Sequence, residues 1–195
     1  MNFLAHAYLS GNNNSLLVGN FIGDFVKGKQ YKLLQEDVAR GVLLHRSIDD
    51  FTDQHPVVSQ SKTWFRKKYR HYASVIVDMA YDHFLAANWK DYHTQDLLQY
   101  TEDLYEILYS YYDILPERMK LVLKYMKQDN WLYQYADLDG IHRALTGMSR
   151  RTRFDSKMDE ATMDIKRHYS SLQFEFESFM PDIRDFVQDN GVIFD

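Results

Sequence analysis

Residues 41–56 read GVLLHRSIDDFTDQHP, and the apolar residues of this stretch recur at helical spacing. Val42, His45 and Asp49 follow one another at intervals of three and four residues, so they share one face of the predicted helix. A carboxylate on an otherwise apolar face is costly unless another group compensates its charge. The stretch therefore predicts a helix whose interior face carries a polar pair, His45 and Asp49.

The same arrangement recurs in residues 74–89, which read SVIVDMAYDHFLAANW. Asp78 and Asp82 are spaced i,i+4 on an apolar face, and His83 lies at its edge. Helical periodicity continues along nearly the whole chain, while Gly (8) and Pro (3) are few and no long alternating pattern is present. We predict an all-α protein, a compact helical bundle that forms a single domain over residues 1–195.

Capping residues and prolines predict several helix boundaries. Asn2 and Ser15 are expected to cap the first two helices, and Gly28 is expected to close the second. A third helix is predicted over about residues 36–53. The last long helical segment is expected to break at Pro181, because proline lacks a backbone N–H.

The composition excludes some classes of function. There are no cysteines among the 195 residues, which excludes disulfides, zinc-thiolate sites and cysteine nucleophiles. The net charge of -5 argues against general binding to nucleic acid, which favours basic surfaces. No apolar run is long enough to span a membrane, and the first residues lack the charged segment of a signal peptide. We therefore expect a cytoplasmic protein.

Two basic clusters stand out against this acidic background. They are WFRKKYRH at residues 64–71 and SRRTR at residues 149–153. Each fits either a solvated surface or a docking patch for an acidic macromolecule. The docking candidates are Arg66, Lys67, Lys68, Arg70, Arg150, Arg151 and Arg153.

Two more helices carry polar residues that could join the pairs described above. Asp24 follows Asn20 at i,i+4 in the second helix, and His6 lies among apolar residues of the first. A set of His and Asp without Cys suits a hard or borderline divalent ion such as manganese, magnesium or iron. Such an ion can activate water and polarise a phosphoryl oxygen. The alternatives stay open: His6 as a hydrogen-bonded core histidine, and Asp24 paired with Lys27.

Four blocks of sequence occur in order over the first ninety residues: NFLAHAYLS, GNFIGDFVKG, GVLLHRSIDDFTDQHP and DMAYDHFLAANW. Together with the later NWLYQYADLDGIHRALTGMSRR they resemble the acyl carrier protein phosphodiesterase family. The resemblance implies a helical fold related to the HD phosphohydrolases. It also implies hydrolysis of the phosphodiester that joins 4'-phosphopantetheine to a serine of holo-acyl carrier protein. The implied cofactor is a divalent metal, typically manganese, with magnesium or iron as alternatives, and the implied partner is small and strongly acidic.

The resemblance also implies roles for individual residues. In the implied reaction, Asp49 or His83 would orient or deprotonate the attacking water. Arg46 and Lys27 follow the candidate ligands closely in the sequence, and this closeness by itself indicates that they could hold the substrate phosphate. The candidate metal ligands are Asp24, His45, Asp82, His6 and Asp78.

One departure from the wider HD pattern affects this set. HD enzymes contain adjacent His-Asp, whereas the corresponding pairs here are His45-Arg46 and Asp82-His83. The site is therefore expected to be assembled differently, with Arg46 replacing the charge of one metal. Two alternatives remain: an HD-like phosphohydrolase that acts on a nucleotide, and a non-catalytic helical binding module whose polar residues form buried ion pairs. The sequence does not indicate an oligomeric state.

Overall fold

The computed structural model describes residues 1–194, and these are helical almost throughout. No strand occurs within that range, so the all-α prediction is confirmed. The single domain and the kinship with HD phosphohydrolases stay predictions. The helices are α1 (Phe3–Tyr8), α2 (Asn14–Phe21), α3 (Glu36–Gln54), α4 (Pro56–Tyr69), α5 (Ala73–Ala87), α6 (Leu97–Ser110), α7 (Glu117–Gln128), α8 (Trp131–Gln134), α9 (Leu138–Ser149), α10 (Ala161–Arg167) and α11 (Tyr169–Asp189).

The sequence predicted the start of α1 correctly, but not the boundaries of α2. Asn2 caps α1 as expected. The cap of α2 is Asn13 rather than Ser15, because the Asn13 side chain accepts the N–H of Leu16 at 3.0 Å. Helix α2 also ends well before Gly28, since a short 3-10 turn redirects the chain. This turn carries residues of the candidate site.

The predicted break at Pro181 is wrong. Helix α11 continues through Pro181, and the chain instead bends at His168, between α10 and α11. Burial on both sides of the proline stabilises the helical conformation there, since tertiary packing supplies most of the stability of helices in proteins. The buried residues that flank it are Phe176, Phe179, Ile183 and Val187.

Helices α2 and α3 pack backbone against backbone through two glycines. A Cβ atom on Gly41 would lie 2.2 Å from the carbonyl oxygen of Leu16, and one on Gly19 would lie 2.0 Å from that of Val38. Only glycine allows so close an approach. The contact brings the end of α2 beside His45.

Helix α5 lies at the centre of the core, with most of its residues buried. Helices α1, α4, α9 and α11 pack around it. No helix within residues 1–194 is both long enough and apolar enough to cross a bilayer.

Candidate metal centre

The structure brings His6, His45 and Asp49 into one cluster, here called the His6–His45–Asp49 cluster. Helix α1 carries His6, and α3 carries the other two residues one turn apart. The Nε2 atom of His6 lies 3.3 Å from Asp49 Oδ1, and Nε2 of His45 lies 3.2 Å from Asp49 Oδ2. The two histidines thus face the two oxygens of one carboxylate.

Asn20 fixes the orientation of both imidazole rings. Its side-chain Oδ1 lies 2.8 Å from Nδ1 of His6, and its backbone carbonyl oxygen lies 2.9 Å from Nδ1 of His45. The Asn20 amide nitrogen donates to the His6 carbonyl and to Ser10 Oγ, which leaves Oδ1 to accept from the histidine. Both rings therefore carry a proton on Nδ1 and present Nε2 toward Asp49.

These two Nε2 atoms are buried and make no hydrogen bond of normal geometry with any described residue. His6 and His45 are only 2% and 5% exposed, so bulk water does not satisfy them. Buried polar atoms of folded proteins are nearly always hydrogen-bonded. Two ring nitrogens that lack a hydrogen-bond partner and face a carboxylate are a set of ligand atoms suited to a divalent cation. The residues present therefore fit a metal ion.

Asp24 lies at the mouth of the cluster, on the 3-10 turn Gly23–Phe25. Its Oδ1 is 3.4 Å from Nε2 of His45, and its side chain is 73% exposed. A Cβ atom on Gly23 would lie 2.2 Å from Cγ of His45. The missing side chain at Gly23 thus lets the imidazole lie against the turn, within reach of Asp24.

The electrostatics of the cluster place one proton on His45 when no ion is bound. Burial opposes its protonation, but the Asp24 and Asp49 carboxylates outweigh burial and raise the pKa of His45 to about 9. Burial dominates for His6 and lowers its pKa to about 4. Burial would raise the pKa of Asp49, yet the two histidines hold it well below the ordinary range. A bound cation that displaced the His45 proton would supply the positive charge that balances the Asp24 and Asp49 carboxylates.

Asp82, a predicted metal ligand, lies outside this cluster. It is fully buried, and its carboxylate receives backbone N–H groups at the start of α1. Burial raises the pKa of Asp82 to about 7, although these donors and the Met1 amino group act in the opposite direction. The orphan N–H groups of a helix start supply the compensation that the sequence interpretation assigned to a metal. The donors are Asn2, Leu4 and Ala5, at 3.2, 2.9 and 3.3 Å.

Asp78, the other predicted ligand on α5, is also outside the cluster. Its Oδ1 lies 2.9 Å from the α-amino group of Met1. Asp78 and Asp82 together fix the start of α1 on α5. Because α1 is only six residues long, these contacts also set the position of His6.

His83, a predicted catalytic group, has both ring nitrogens engaged elsewhere. Nδ1 lies 2.8 Å from the carbonyl oxygen of Tyr135, and Nε2 lies 3.0 Å from the hydroxyl of Tyr169. Burial lowers the pKa of His83, so the ring is held neutral. The structure does not bring it to the His6–His45–Asp49 cluster.

Arg46, predicted to bind phosphate, ties α3 to the loop that follows Asp24. Its Nη2 donates to the carbonyl oxygens of Val26 and Gly28 at 3.0 and 2.8 Å. Its guanidinium lies 5.3 Å from the centre of the Tyr31 ring. These contacts give Arg46 a positioning role toward Asp24.

Lys27, the second predicted phosphate contact, is exposed in the same loop, and its backbone N–H donates to Gln30. Its contact with the substrate phosphate stays a prediction.

The two basic clusters differ in their surroundings. Lys68 pairs with Glu160 and Asp164, each at 2.9 Å, so part of the first cluster is neutralised. In the second cluster, Arg151 lines a cavity. The remaining predicted docking residues are exposed; they are Arg66, Lys67, Arg70, Arg150 and Arg153.

Two residues that shape the site had no role assigned from the sequence. Asn20 orients both histidines, and Gly23 admits the His45 ring. The available signals were the i,i+4 spacing of Asn20 and Asp24 and the glycine immediately before Asp24.

Fold and site together define an all-α protein with a His/Asp centre suited to a divalent metal. The family model described as acyl carrier protein phosphodiesterase matches residues 1–183. The chain belongs to the acyl carrier protein phosphodiesterase family, as the resemblance of its sequence blocks predicted, and is a phosphodiesterase.

Curated relatives support this assignment over nearly the full length. An acyl carrier protein phosphodiesterase of Shigella boydii serotype 18 is 36% identical over 186 residues, which covers 93% of this chain and 94% of that protein. The protein of the same name from Photorhabdus laumondii is 35% identical over 182 residues, covering 93% and 92%. The one from Enterobacter sp. strain 638 is 35% identical over 183 residues, covering 93% and 94%. No solved structure matches the chain significantly.

Proposed function

We propose that this protein hydrolyses the phosphodiester of holo-acyl carrier protein with the help of a divalent metal, releasing 4'-phosphopantetheine and the apo-protein. The family and the name of the relatives supply the substrate. The observation that supports a role for a metal is that the Nε2 atoms of His6 and His45 are buried, lack a hydrogen-bond partner and face Asp49. If the cluster were only a network of ion pairs, with no metal, at least one of these Nε2 atoms would lack a hydrogen-bond partner.

The proposed ligands are His6, His45 and Asp49, with Asp24 completing the set at the open side. Manganese is the proposed ion, and magnesium or iron are the alternatives, because neutral imidazole and carboxylate oxygen suit all three. When bound, a divalent ion supplies a water of lowered pKa and neutralises charge on the phosphoryl oxygens.

The residues of the chain have separate tasks in this reaction. Asn20 engages the Nδ1 atoms of His6 and His45, so that the Nε2 atom of each ring is the one aimed inward. Asp24, the exposed carboxylate, would hold the ion with one oxygen and leave the other free to accept a hydrogen bond from the attacking water. Lys27 lies in the adjacent loop, where its ammonium group attracts the substrate phosphate.

Bond changes in the hydrolysis balance without any further reactant. The water oxygen forms a bond to phosphorus, and the bond from phosphorus to the serine oxygen of the carrier breaks. One proton of the water ends on that serine oxygen. The products are apo-acyl carrier protein, with a free serine hydroxyl, and 4'-phosphopantetheine.

Mass spectrometry of holo-acyl carrier protein tests the proposal. Purified enzyme is incubated with the carrier in Mn²⁺ or in excess chelator, and parallel samples contain a panel of nucleotides. We expect conversion to the apo mass only in the presence of Mn²⁺, with nucleotides unchanged. Hydrolysis of a nucleotide with intact holo-carrier would favour the HD-like alternative. Inactivity on every substrate, with no metal bound, would favour the binding module.

A further inference from the structure

An open cavity of about 590 Å³ is lined in part by Phe3 and Phe25, which belong to the two segments that carry His6 and Asp24. Helices α7, α8 and α9 form most of the rest of its wall. Its size falls within the range of small-molecule sites in proteins, roughly 300–1,000 Å³. Nothing in the proposed hydrolysis step uses this space.

Two wall residues connect the cavity directly to the proposed metal ligands. Phe25 follows Asp24 on the 3-10 turn, and Phe3 precedes His6 by three residues on α1. Three residues of α-helix rise only about 4.5 Å. The rings of Phe3 and Phe25 lie 6.5 Å apart, so one wall of the cavity is built from the same two segments that carry ligands.

Helix α9 lines the cavity with one continuous face. The residues of α9 that line the cavity are alternately three residues and one residue apart, which is the spacing of a single helical face. Gly147 leaves this wall recessed, since a Cβ atom placed on it would meet nothing within 4 Å. The α9 residues of the wall are Gly140, Arg143, Ala144, Gly147 and Met148, and Arg151 continues the wall just beyond the end of the helix.

The cavity combines an apolar interior with arginines. Trp131, Val122 and Met148 supply apolar surface. Arg118 on α7 and Arg151 just after α9 add positive charge and are both exposed, in a chain whose net charge is -5. An uncharged flexible group attached to an acidic macromolecule is complementary to such a site.

We infer that this cavity binds the pantetheine arm of holo-acyl carrier protein, while Arg118 and Arg151 face the acidic carrier. The inference rests on the proposed function. The phosphate of the substrate lies at the His6–His45–Asp49 cluster, and the arm extends from there past Phe3 and Phe25 into the cavity. Of the two basic clusters in the sequence, the one at residues 149–153 then borders the substrate.

Filling the recess at Gly147 tests this inference. The variants Gly147→Trp and Gly147→Leu place a side chain in the cavity, and Gly147→Ala adds only a methyl group to the same position. Ser171→Trp introduces the same indole at an exposed position of α11. Calorimetry measures the binding of free 4'-phosphopantetheine to each protein in Mn²⁺, and mass spectrometry gives kcat/KM for holo-carrier. Binding of Mn²⁺ and thermal unfolding report whether each variant keeps its metal site and its fold.

We expect Gly147→Trp to weaken binding of 4'-phosphopantetheine and to lower kcat/KM by about tenfold or more, since a blocked pocket discriminates on that scale. Gly147→Leu is expected to act in the same direction, while Gly147→Ala and Ser171→Trp stay near the wild type. If folded Gly147→Trp and Gly147→Leu bind 4'-phosphopantetheine as the wild type does, the inference is overturned. Failure of the proposed function is a different result, namely a wild-type enzyme that leaves holo-carrier intact in Mn²⁺.

The arginines give an independent second test. Arg118→Gln combined with Arg151→Gln removes two charges at the surface and leaves the proposed metal ligands in place. We expect KM for holo-carrier to rise severalfold at low salt, with binding of Mn²⁺ unchanged. Arg66→Gln combined with Lys67→Gln removes the same charge from the other basic cluster and serves as the control. An equal rise in KM from both pairs would contradict docking at the cavity.

Discussion

The imidazole rings of His6 and His45 stack with their centroids 4.0 Å apart and their planes 21° from parallel. His6 and His45 are almost forty residues apart in the chain, yet Asn20 binds Nδ1 of both. Two imidazolium ions could not stack at this distance without repulsion, and the pKa of His6 is accordingly lowered to about 4, chiefly by burial. The pair is therefore built to present two ring nitrogens to a common partner.

Replacing Asn20 by Leu is expected to weaken metal binding. The change removes the acceptor of His6 Nδ1 and the amide group that donates to the His6 carbonyl and to Ser10 Oγ. We expect the affinity for Mn²⁺ to fall roughly 10–100-fold, the usual effect of losing a partner that orients a ligand. The free energy of unfolding should fall by about 1–3 kcal/mol. Calorimetric titration and urea denaturation measure the two effects.

Thr101→Val is the matched control for Asn20→Leu. Thr101 is fully buried on α6, and its hydroxyl donates to the Leu98 carbonyl. This variant tests whether loss of a buried hydrogen bond is by itself enough to impair metal binding. Equal losses of Mn²⁺ affinity in both variants would show that Asn20 has no special role.

Gly23→Ala is expected to displace His45. The added Cβ would lie 2.2 Å from Cγ of the ring, so the imidazole or the turn must move. We expect Mn²⁺ affinity to drop by about tenfold or more, as for other disturbances of ligand orientation. Gly147→Ala adds the same methyl group where there is open space and provides the comparison. Unchanged Mn²⁺ affinity in Gly23→Ala would place the ring outside the site.

Asp82→Ala is expected to affect folding before metal binding. The change leaves backbone N–H groups of Asn2, Leu4 and Ala5 without their acceptor. We expect the free energy of unfolding in chelator to fall by about 3 kcal/mol, because a buried carboxylate that receives several donors is lost. If Asp82 were instead a metal ligand, the variant would lose Mn²⁺ affinity without this loss of stability in chelator.

Metal affinity is expected to depend on pH through His45. Its pKa of about 9 means that the ring is protonated at pH 7 in the metal-free protein, and binding an ion must release that proton. His6, with a pKa of about 4, is already neutral and adds no further dependence. Apparent Mn²⁺ affinity should therefore rise with pH toward 9, by about tenfold per pH unit when one proton is released.

Titration in buffers of different ionisation enthalpy counts the protons released at pH 7. A count near zero in the wild type would contradict the exchange of a proton for the ion. The variant His45→Gln should show no release, because it removes the titrating ring.

The sequence predicted the helices and part of the site because these features depend on residues that are close together in the chain. His45 and Asp49 are one turn apart on one helix, so their spacing places them together. The presence of His6 in the same site depended on packing between distant helices. Family resemblance, and not spacing, supplied the substrate.

Asp78 and Asp82 show where spacing is insufficient. Their position on an apolar face correctly indicated that their charge needs compensation. The compensating groups are the start of α1 and the Met1 amino group, about eighty residues away in the chain. A periodic pattern cannot distinguish a metal from the backbone N–H groups of another helix. The contacts of Arg46 with the Val26 and Gly28 carbonyls were also beyond the reach of spacing, since they are set by the tertiary fold, and its contact with the substrate phosphate stays a prediction.

Restoration of activity by Mn²⁺ tests the central claim most directly. Chelated wild type, Asp49→Asn and Asp50→Asn are titrated with Mn²⁺ while conversion of holo- to apo-acyl carrier protein is followed. Asp50 is the exposed neighbour of Asp49, so the two variants remove the same charge from the solvent-facing and the cluster-facing parts of α3. We predict that wild type and Asp50→Asn recover alike, whereas Asp49→Asn needs at least about tenfold more Mn²⁺ or stays inactive. Equal recovery of all three proteins, or full activity in chelator, would contradict a metal centre at His6, His45 and Asp49.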